Sequence, residues 1–212
     1  MQQTVLKILN IRADERWYVQ TLFLHHFFQG IGVALFFTLA NALFLSNYPI
    51  ERLAEVYLYA AVLLLVVGRI YAYFEHHSSI ARLLPGVVMV LAGSVVVLRL
   101  TIGVFDPIWM PFLLLVRYHA IYLLGSLEFW GLSALLFDVR QSKRLFGLIS
   151  AGDIPAKLLG YLSVSLLVSV IGLENLPWVA GASFLVSLFS LQRLVQNKQL
   201  HEDNSQHHAH HY

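Results

Sequence analysis

The chain has 212 residues, of which 58% are hydrophobic and only 12% are charged, and its mean hydropathy is +0.68. Soluble globular proteins carry about 25% charged residues, so this composition excludes that class and predicts an integral membrane protein. The lack of cysteine excludes disulfide frameworks, zinc-thiolate sites and iron–sulfur clusters, and a net charge of only +2 does not favour nucleic-acid binding.

The first segment, residues 1–18, mixes apolar and charged residues. An apolar face formed by Val5, Leu6, Ile8 and Leu9 beside charged side chains is typical of a short amphipathic helix on a membrane surface, here predicted to be cytoplasmic. The charges interrupt any apolar signal-peptide core, so we expect the first span to act as an uncleaved insertion signal.

Six apolar runs follow, and each is long enough for a spanning helix, which needs about 20 mainly apolar residues. Turn-forming residues separate most of the runs, and a charged stretch at 138–145 separates the fourth from the fifth. We therefore predict an all-α membrane domain over residues 19–195. Its predicted spans are at about 19–45, 53–74, 82–104, 108–137, 146–171 and 176–195.

The polar tail at 196–212 is predicted to be disordered. Its run His207-His208-Ala209-His210-His211 is typical of segments that bind transition metals. A solvated tail is the simpler interpretation, and we predict no metal site.

The basic residues predict the orientation, because lysine and arginine are enriched in cytoplasmic loops. With the N-terminus in the cytoplasm, Arg52 is the only loop cation on the outer side. The cations on the cytoplasmic side are then Lys7, Arg12, Arg16, Arg82, Arg140, Lys143, Arg144, Arg193 and Lys198. We therefore predict a multi-pass protein with both termini in the cytoplasm.

Two charged residues lie deep within adjacent spans. Glu128 in the fourth span and Lys157 in the fifth are about equally far from the loop between them, so a helical hairpin places them at similar depth. Ionisable groups in hydrocarbon persist where they have a polar partner or line a water-filled path. We predict that they form an ion pair at a solute-binding site. A purely structural pair is one alternative, and a local pair between Lys157 and Asp153, one turn away, is another.

Other polar residues within the spans are weaker candidates. Arg117 precedes Glu128 by three helical turns, so both are predicted to face the same path. Asn41 is a further candidate for solute binding, with hydrogen bonding between helices as the alternative. His25 and His26 are interpreted as neutral interior histidines, with a proton relay as the alternative.

The fourth span and the loop after it carry the pattern Glu128-Phe129-Trp130-Gly131, then Gln141-Ser142-Lys143-Arg144 and Phe146-Gly147. These motifs resemble the ATP/ADP translocases, which are nucleotide transporters. They are more similar still to bacterial membrane proteins of the major facilitator superfamily that share this region.

The resemblance implies the N-terminal six-helix half of a major facilitator-type bundle in a bacterial inner membrane. It also implies that Glu128 is the substrate-site carboxylate. The cytoplasmic gate loop would contain Asp138, Arg140, Lys143 and Arg144. The chain departs from the nucleotide carriers at 38–44, where they have an Arg-x-x-Lys-Asp cluster and this sequence has no basic residue.

These features predict a membrane transport module that moves an anionic solute, such as a nucleotide, by alternating access. One six-helix half cannot enclose a path, so we expect a homodimer or a second six-helix half as partner. The alternative is a non-transporting anchor or sensor that recruits partners through its cytoplasmic loops. The sequence shows no nucleophile elbow, workable carboxylate pair or glycine-rich phosphate loop, so we predict neither an enzyme nor a bound cofactor.

Overall fold

The computed structural model describes residues 11–102 and 108–209, with side chains described at 11–100, 102 and 108–200. Helices and short connections make up these residues, and no strand occurs among them. The helices are α1 (Arg16–Asn47), α2 (Leu53–His77), α3 (Ile80–Thr101), α4 (Met110–Leu136), α5 (Val139–Ser150), α6 (Asp153–Ile171) and α7 (Leu176–Ala209), with short 3-10 helices at Ile50–Arg52 and Leu173–Asn175.

Six segments of the described chain are long and apolar enough to cross a membrane, and α5 and α6 together form the fifth. The predicted all-α fold with six spans is therefore confirmed, and the protein is a multi-pass membrane protein. Apolar side chains such as Leu58, Leu65 and Val170 are exposed on the outside of the bundle, where they would contact lipid.

The fifth span differs from its prediction because it is broken between α5 and α6 at Ala151 and Gly152. Pro155 explains the break. Its nitrogen carries no hydrogen, so it cannot donate to the carbonyl of Ala151, and its ring would crowd that carbonyl. Gly152 also lies against α1, where a Cβ atom would be 3.0 Å from the carbonyl oxygen of Phe23.

The chain ends also bear on the predictions. Helix α7 continues to Ala209, so a helix occupies much of the segment predicted to be a disordered tail. The remainder of that tail, the first ten residues of the predicted amphipathic segment and the turn at Asp106 and Pro107 lie outside the described residues.

Helix α1 is the centre of the bundle and packs against α4, α6 and α7. Small residues permit its close approach to α6, since a Cβ on Gly160 would lie only 2.8 Å from the Cβ of Ala34. A Cβ on Gly30 would similarly lie 2.9 Å from that of Ala156. Such small-residue contacts are the usual way for membrane helices to pack tightly.

The buried apolar side chains form two clusters, one towards each end of the bundle. On α1, the first cluster begins at Val33, and the second contains Val19 and Leu22. Between these positions α1 carries two buried polar side chains, His25 and Gln29. The polar layer between the apolar clusters is where the candidate site lies.

Candidate solute-binding site

Glu128 lies at the centre of a buried polar network. Its side chain has no exposed surface, and its Oε2 accepts a hydrogen bond of 2.7 Å from Nε2 of Gln29. Nε2 of His25, also fully buried, lies 2.9 Å from Oε1 and 3.1 Å from Oε2 of the carboxylate. Nδ1 of His25 lies 2.8 Å from both the carbonyl oxygen and the hydroxyl oxygen of Ser187. The network therefore joins α1, α4 and α7.

The predicted ion pair between Glu128 and Lys157 is wrong. Nζ of Lys157 instead donates to Oδ2 of Asp153 at 2.6 Å, which is the local alternative. Equal depth requires two continuous helices around a tight turn, whereas the fifth span is broken between α5 and α6. Lys157 Nζ lies 5.2 Å from the ring centroid of Tyr122, which is about 9 Å along α4 from Glu128.

The pair of Lys157 and Asp153 lies in an open groove of about 200 Å³. Tyr122 is near the middle of α4, so the groove lies near the middle of the membrane. The lining residues are His26, Gln29, Gly30 and Val33 on α1, Tyr122, Gly125, Ser126, Phe129 and Trp130 on α4, and Ser150, Asp153 and Lys157 on α5, α6 and the junction between them.

The groove is polar and partly accessible. The side chains of Lys157 and Asp153 are 24% and 27% exposed. The ring of His26 stacks on Phe129 with centroids 3.8 Å apart, and its Nδ1 has no hydrogen-bond partner among the described residues. Charged groups and an unpaired nitrogen at this depth are costly in lipid, so the groove suits water or a polar solute.

Gln29 links the groove to the buried network. Its amide lines the groove and also donates to Glu128, whereas Glu128 itself does not line the groove. The amide lies over Gly125, where a Cβ would be 3.5 Å from its Nε2. Sequence reasoning missed Gln29, although its position four residues after His25 places both on one helix face.

Arg117 and Asn41, the two other predicted solute-binding residues, lie outside the groove. Nη2 of Arg117 donates to the carbonyl oxygen of Ser94 on α3 at 2.5 Å. It is about 16 Å along α4 from Glu128, so the shared face does not bring them together. The amide of Asn41 donates to the carbonyl oxygen of Phe37 within α1 at 2.9 Å.

The predicted gate loop forms the start of α5. Asp138 caps this helix, because its Oδ1 accepts from the backbone N–H of Gln141 at 2.8 Å, while Oε1 of Gln141 accepts from the backbone N–H of Asp138 at 2.9 Å. This is a capping box. The side chains of Arg140 and Lys143 are exposed, so they are accessible to the solvent or to lipid headgroups.

Arg144 and Gln141 fasten this loop to the start of α1. Both donate to Oε1 of Glu15, Gln141 at 3.0 Å and Arg144 through an ion pair. Burial raises the pKa of the Glu15 carboxyl, but hydrogen bonds from Arg144, the Arg12 backbone and Gln141, with the charge of Arg144, outweigh it and hold the pKa below its ordinary value. Glu15 is therefore a stably charged anchor for the loop.

No family model, curated protein or solved structure matches this chain. The resemblance carried by the motif at 128–131 and its following loop therefore stays a prediction.

Proposed function

We propose that the protein is a transport module that moves an anionic solute across a bacterial inner membrane by alternating access. The groove between α1, α4 and α6 would be its solute site. The observation that carries this proposal is the partly exposed ion pair of Lys157 and Asp153 near the middle of the membrane. A pair that served only to join helices would have its members on different helices, whereas both members of this pair are on α6.

The chemistry of the groove suits an anion. The ammonium group of Lys157 has three donor hydrogens, and Asp153 accepts one of them. A solute anion can bind the others, with the hydroxyl group of Ser126 and the amide of Gln29 close by in the lining. The exposed indole of Trp130 offers a surface on which a planar ring can stack.

The open side of the groove calls for a second six-helix unit, either another copy of this chain or a separate half. The spans Ile50–His77 and Val139–Ile171 are the least buried of the six. A partner lying against them would complete the walls of a water-filled path. With both termini in the cytoplasm, the anchored loop at Glu15 and Arg144 would lie at the inner end of that path.

Uptake into proteoliposomes tests the proposal. The purified full chain would be reconstituted, and exchange of labelled ATP, ADP and inorganic phosphate would be measured at equal pH inside and outside. We expect saturable exchange of at least one anion, reduced at least tenfold by Lys157→Gln. Lys198→Gln is the matched control, because Lys198 does not line the groove.

Direct binding gives a second measurement that does not need transport. A variant with Phe at Trp17, Trp109 and Trp178 keeps Trp130, which lines the groove, as its one indole. An anion that enters the groove should quench this fluorescence, and Lys157→Gln should weaken the quenching. If these anions produced no exchange and no quenching, the anchor or sensor alternative would be favoured.

A further inference from the structure

We infer that the buried pair of His25 and Glu128 is a proton-binding site and that the proton is the ion that drives solute movement through the groove. This inference rests on the proposed transport function, to which it adds the driving ion. It assigns Glu128 to proton binding instead of direct contact with the solute.

Access to Glu128 supports this assignment. The carboxylate is sealed from the groove, so no solute atom reaches it in this conformation. Gln29 lies between the two, because its amide donates to the carboxylate and its side chain lines the groove, so a displacement of this side chain would let groove water deliver a proton to Glu128. A carboxylate paired with an imidazole inside a membrane bundle is the kind of group that takes part in proton relays.

The hydrogen bonds assign the protons of the pair. The Ser187 carbonyl can only accept, so we place a proton on Nδ1 of His25. A second proton then lies between Nε2 and the carboxylate of Glu128, and the pair has no net charge. The other arrangement, a neutral imidazole beside a bare carboxylate, leaves one negative charge sealed among apolar side chains and is more costly. Binding one more proton gives the pair a net charge of +1.

Gln29 converts this protonation into a change in the groove. While Glu128 is ionised, the Gln29 amide donates to it. When the proton binds at Oε2, the oxygen that accepts from Gln29, this oxygen becomes a donor, so the amide turns its oxygen towards Glu128 and its N–H groups towards the groove. The absent side chain of Gly125 leaves room for this rotation. Both the new donors and the added positive charge favour an anion, so proton and solute should bind together.

Other titratable groups surround the pair. His26 is beside it on α1, Tyr71 faces it from α2, and Asp153 and Lys157 line the groove from α6. From α7 the facing group is the uncharged Ser187. A pH dependence of transport alone could therefore come from several groups, so the test must identify the one that takes the proton.

The first experiment uses the same proteoliposomes with a pH gradient of one unit, acidic outside, and the membrane potential held at zero. One proton per solute corresponds to at most about tenfold accumulation of the labelled anion. We expect such accumulation with the wild-type protein. Because Glu128→Gln cannot bind the proton that favours the anion, we expect this variant to show slower exchange at equal pH and no accumulation under the gradient. The amide introduced by this substitution would keep the network intact, since it can donate to a neutral His25 and accept from Gln29.

Three results separate the inference from the proposed function. Accumulation that is lost in Glu128→Gln supports both. Wild-type exchange at equal pH with no accumulation under the gradient overturns proton coupling and leaves the transport proposal standing. An absence of exchange under all conditions overturns transport and proton coupling together.

A second measurement does not depend on the folding of Glu128→Gln. Nitrogen-15 NMR of labelled histidine in nanodiscs would follow Nε2 of His25 as the pH changes, because its chemical shift reports whether the Glu128 carboxylate that it contacts has bound a proton. The signal would be assigned from His25→Gln. We expect ATP or inorganic phosphate to shift its titration towards higher pH, because the anion and the proton favour each other. Gln29→Leu should remove the shift, and Gln20→Leu, at an exposed position of α1, should retain it. A wild-type signal that never titrates, or that titrates identically with and without these anions, would overturn the inference.

Discussion

The two charged pairs near the middle of this bundle differ in their burial and in the helices that supply them. His25 and Glu128 come from different helices and have no exposed surface. Glu128 also accepts a hydrogen bond from Gln29, and His25 also donates to the carbonyl oxygen of Ser187. Lys157 and Asp153 are both on α6, one turn apart, and about a quarter of each side chain is exposed. The first pair is part of the core, whereas the second borders an open groove.

This difference separates stability from solute binding. Removing one member of a sealed pair leaves a buried charge without its partner, and no water can replace it. Removing one member of the open pair leaves a charge that water in the groove can solvate. The sealed pair should therefore control the free energy of unfolding, and the open pair should control anion affinity with little effect on stability. Single substitutions in each pair test this division between stability and anion binding.

The largest effect is expected for His25→Ala. It leaves the Glu128 carboxylate buried with Gln29 as its remaining donor among the described residues. Losses of about 3–5 kcal/mol are typical when a buried pair is broken this way. The measurement is the free energy of unfolding in mixed detergent micelles. His119→Ala is the matched control, since among the described residues the imidazole of His119 hydrogen-bonds the Leu115 carbonyl of its own helix and otherwise makes ring contacts, such as that with Tyr57. If the free energy of unfolding fell equally in His25→Ala and His119→Ala, the sealed pair would contribute no more to stability than an ordinary interior histidine.

A smaller effect is expected for Gly30→Ala, at the edge of the groove. The new Cβ would lie 2.9 Å from the Cβ of Ala156 and 3.1 Å from Oδ1 of Asp153, so α6 must move away from α1. Such overpacking costs about 1–3 kcal/mol. Gly86→Ala is the control, because its new Cβ would meet no described atom within 4 Å beyond its own stretch of helix, and alanine favours helices.

The two glycine variants should therefore differ in sign, with Gly30→Ala less stable and Gly86→Ala slightly more stable than the wild-type protein. Anion quenching of Trp130 fluorescence should also change in Gly30→Ala alone. If quenching were unaltered by the displacement of α6, the groove would not be the anion site.

The pair of Glu15 and Arg144 provides a reference outside the membrane core. Glu15→Gln should cost about 1.5 kcal/mol at neutral pH, near the lower end for a hydrogen bond to a charged group, because Arg144 is partly exposed. Since the pKa of Glu15 is lowered in the folded protein, its contribution is complete above the ordinary value of 4.5 and is lost as the pH falls through the lowered pKa.

The stability curves of wild-type protein and Glu15→Gln should therefore converge at acidic pH in unfolding measurements. Lys143→Gln, which changes the exposed neighbour of Arg144, should follow the wild-type curve throughout. Curves that stay parallel down to the most acidic conditions would show that the Glu15 charge does not anchor the loop.

The spanning helices were predicted more accurately from the sequence than the side chains that pair with Glu128 and Lys157. Hydropathy finds all six spans because each must present an apolar surface to lipid. It also finds Glu128 and Lys157, since a charge within an apolar run is conspicuous. The pairing failed because it depended on where the fifth span breaks, and Pro155 was not used as a signal. Gln29 was missed because an uncharged amide in an apolar helix attracts little notice until the carboxylate beside it is seen.

The smallest change in stability is expected for Lys157→Gln, and this small value is what makes the variant informative. Exposed ion pairs contribute about 0–1 kcal/mol, and this pair falls in that range only if water fills the groove and solvates Asp153 after the lysine is gone. If lipid fills the groove instead, the remaining carboxylate loses its partner in hydrocarbon and the loss should approach that of His25→Ala. Unfolding measurements on both variants in the same bilayer-like micelles distinguish these cases. A small loss of stability with a large loss of anion binding fits a hydrated solute site, whereas a large loss of stability makes Lys157 a structural residue and leaves the groove without its anion-binding cation.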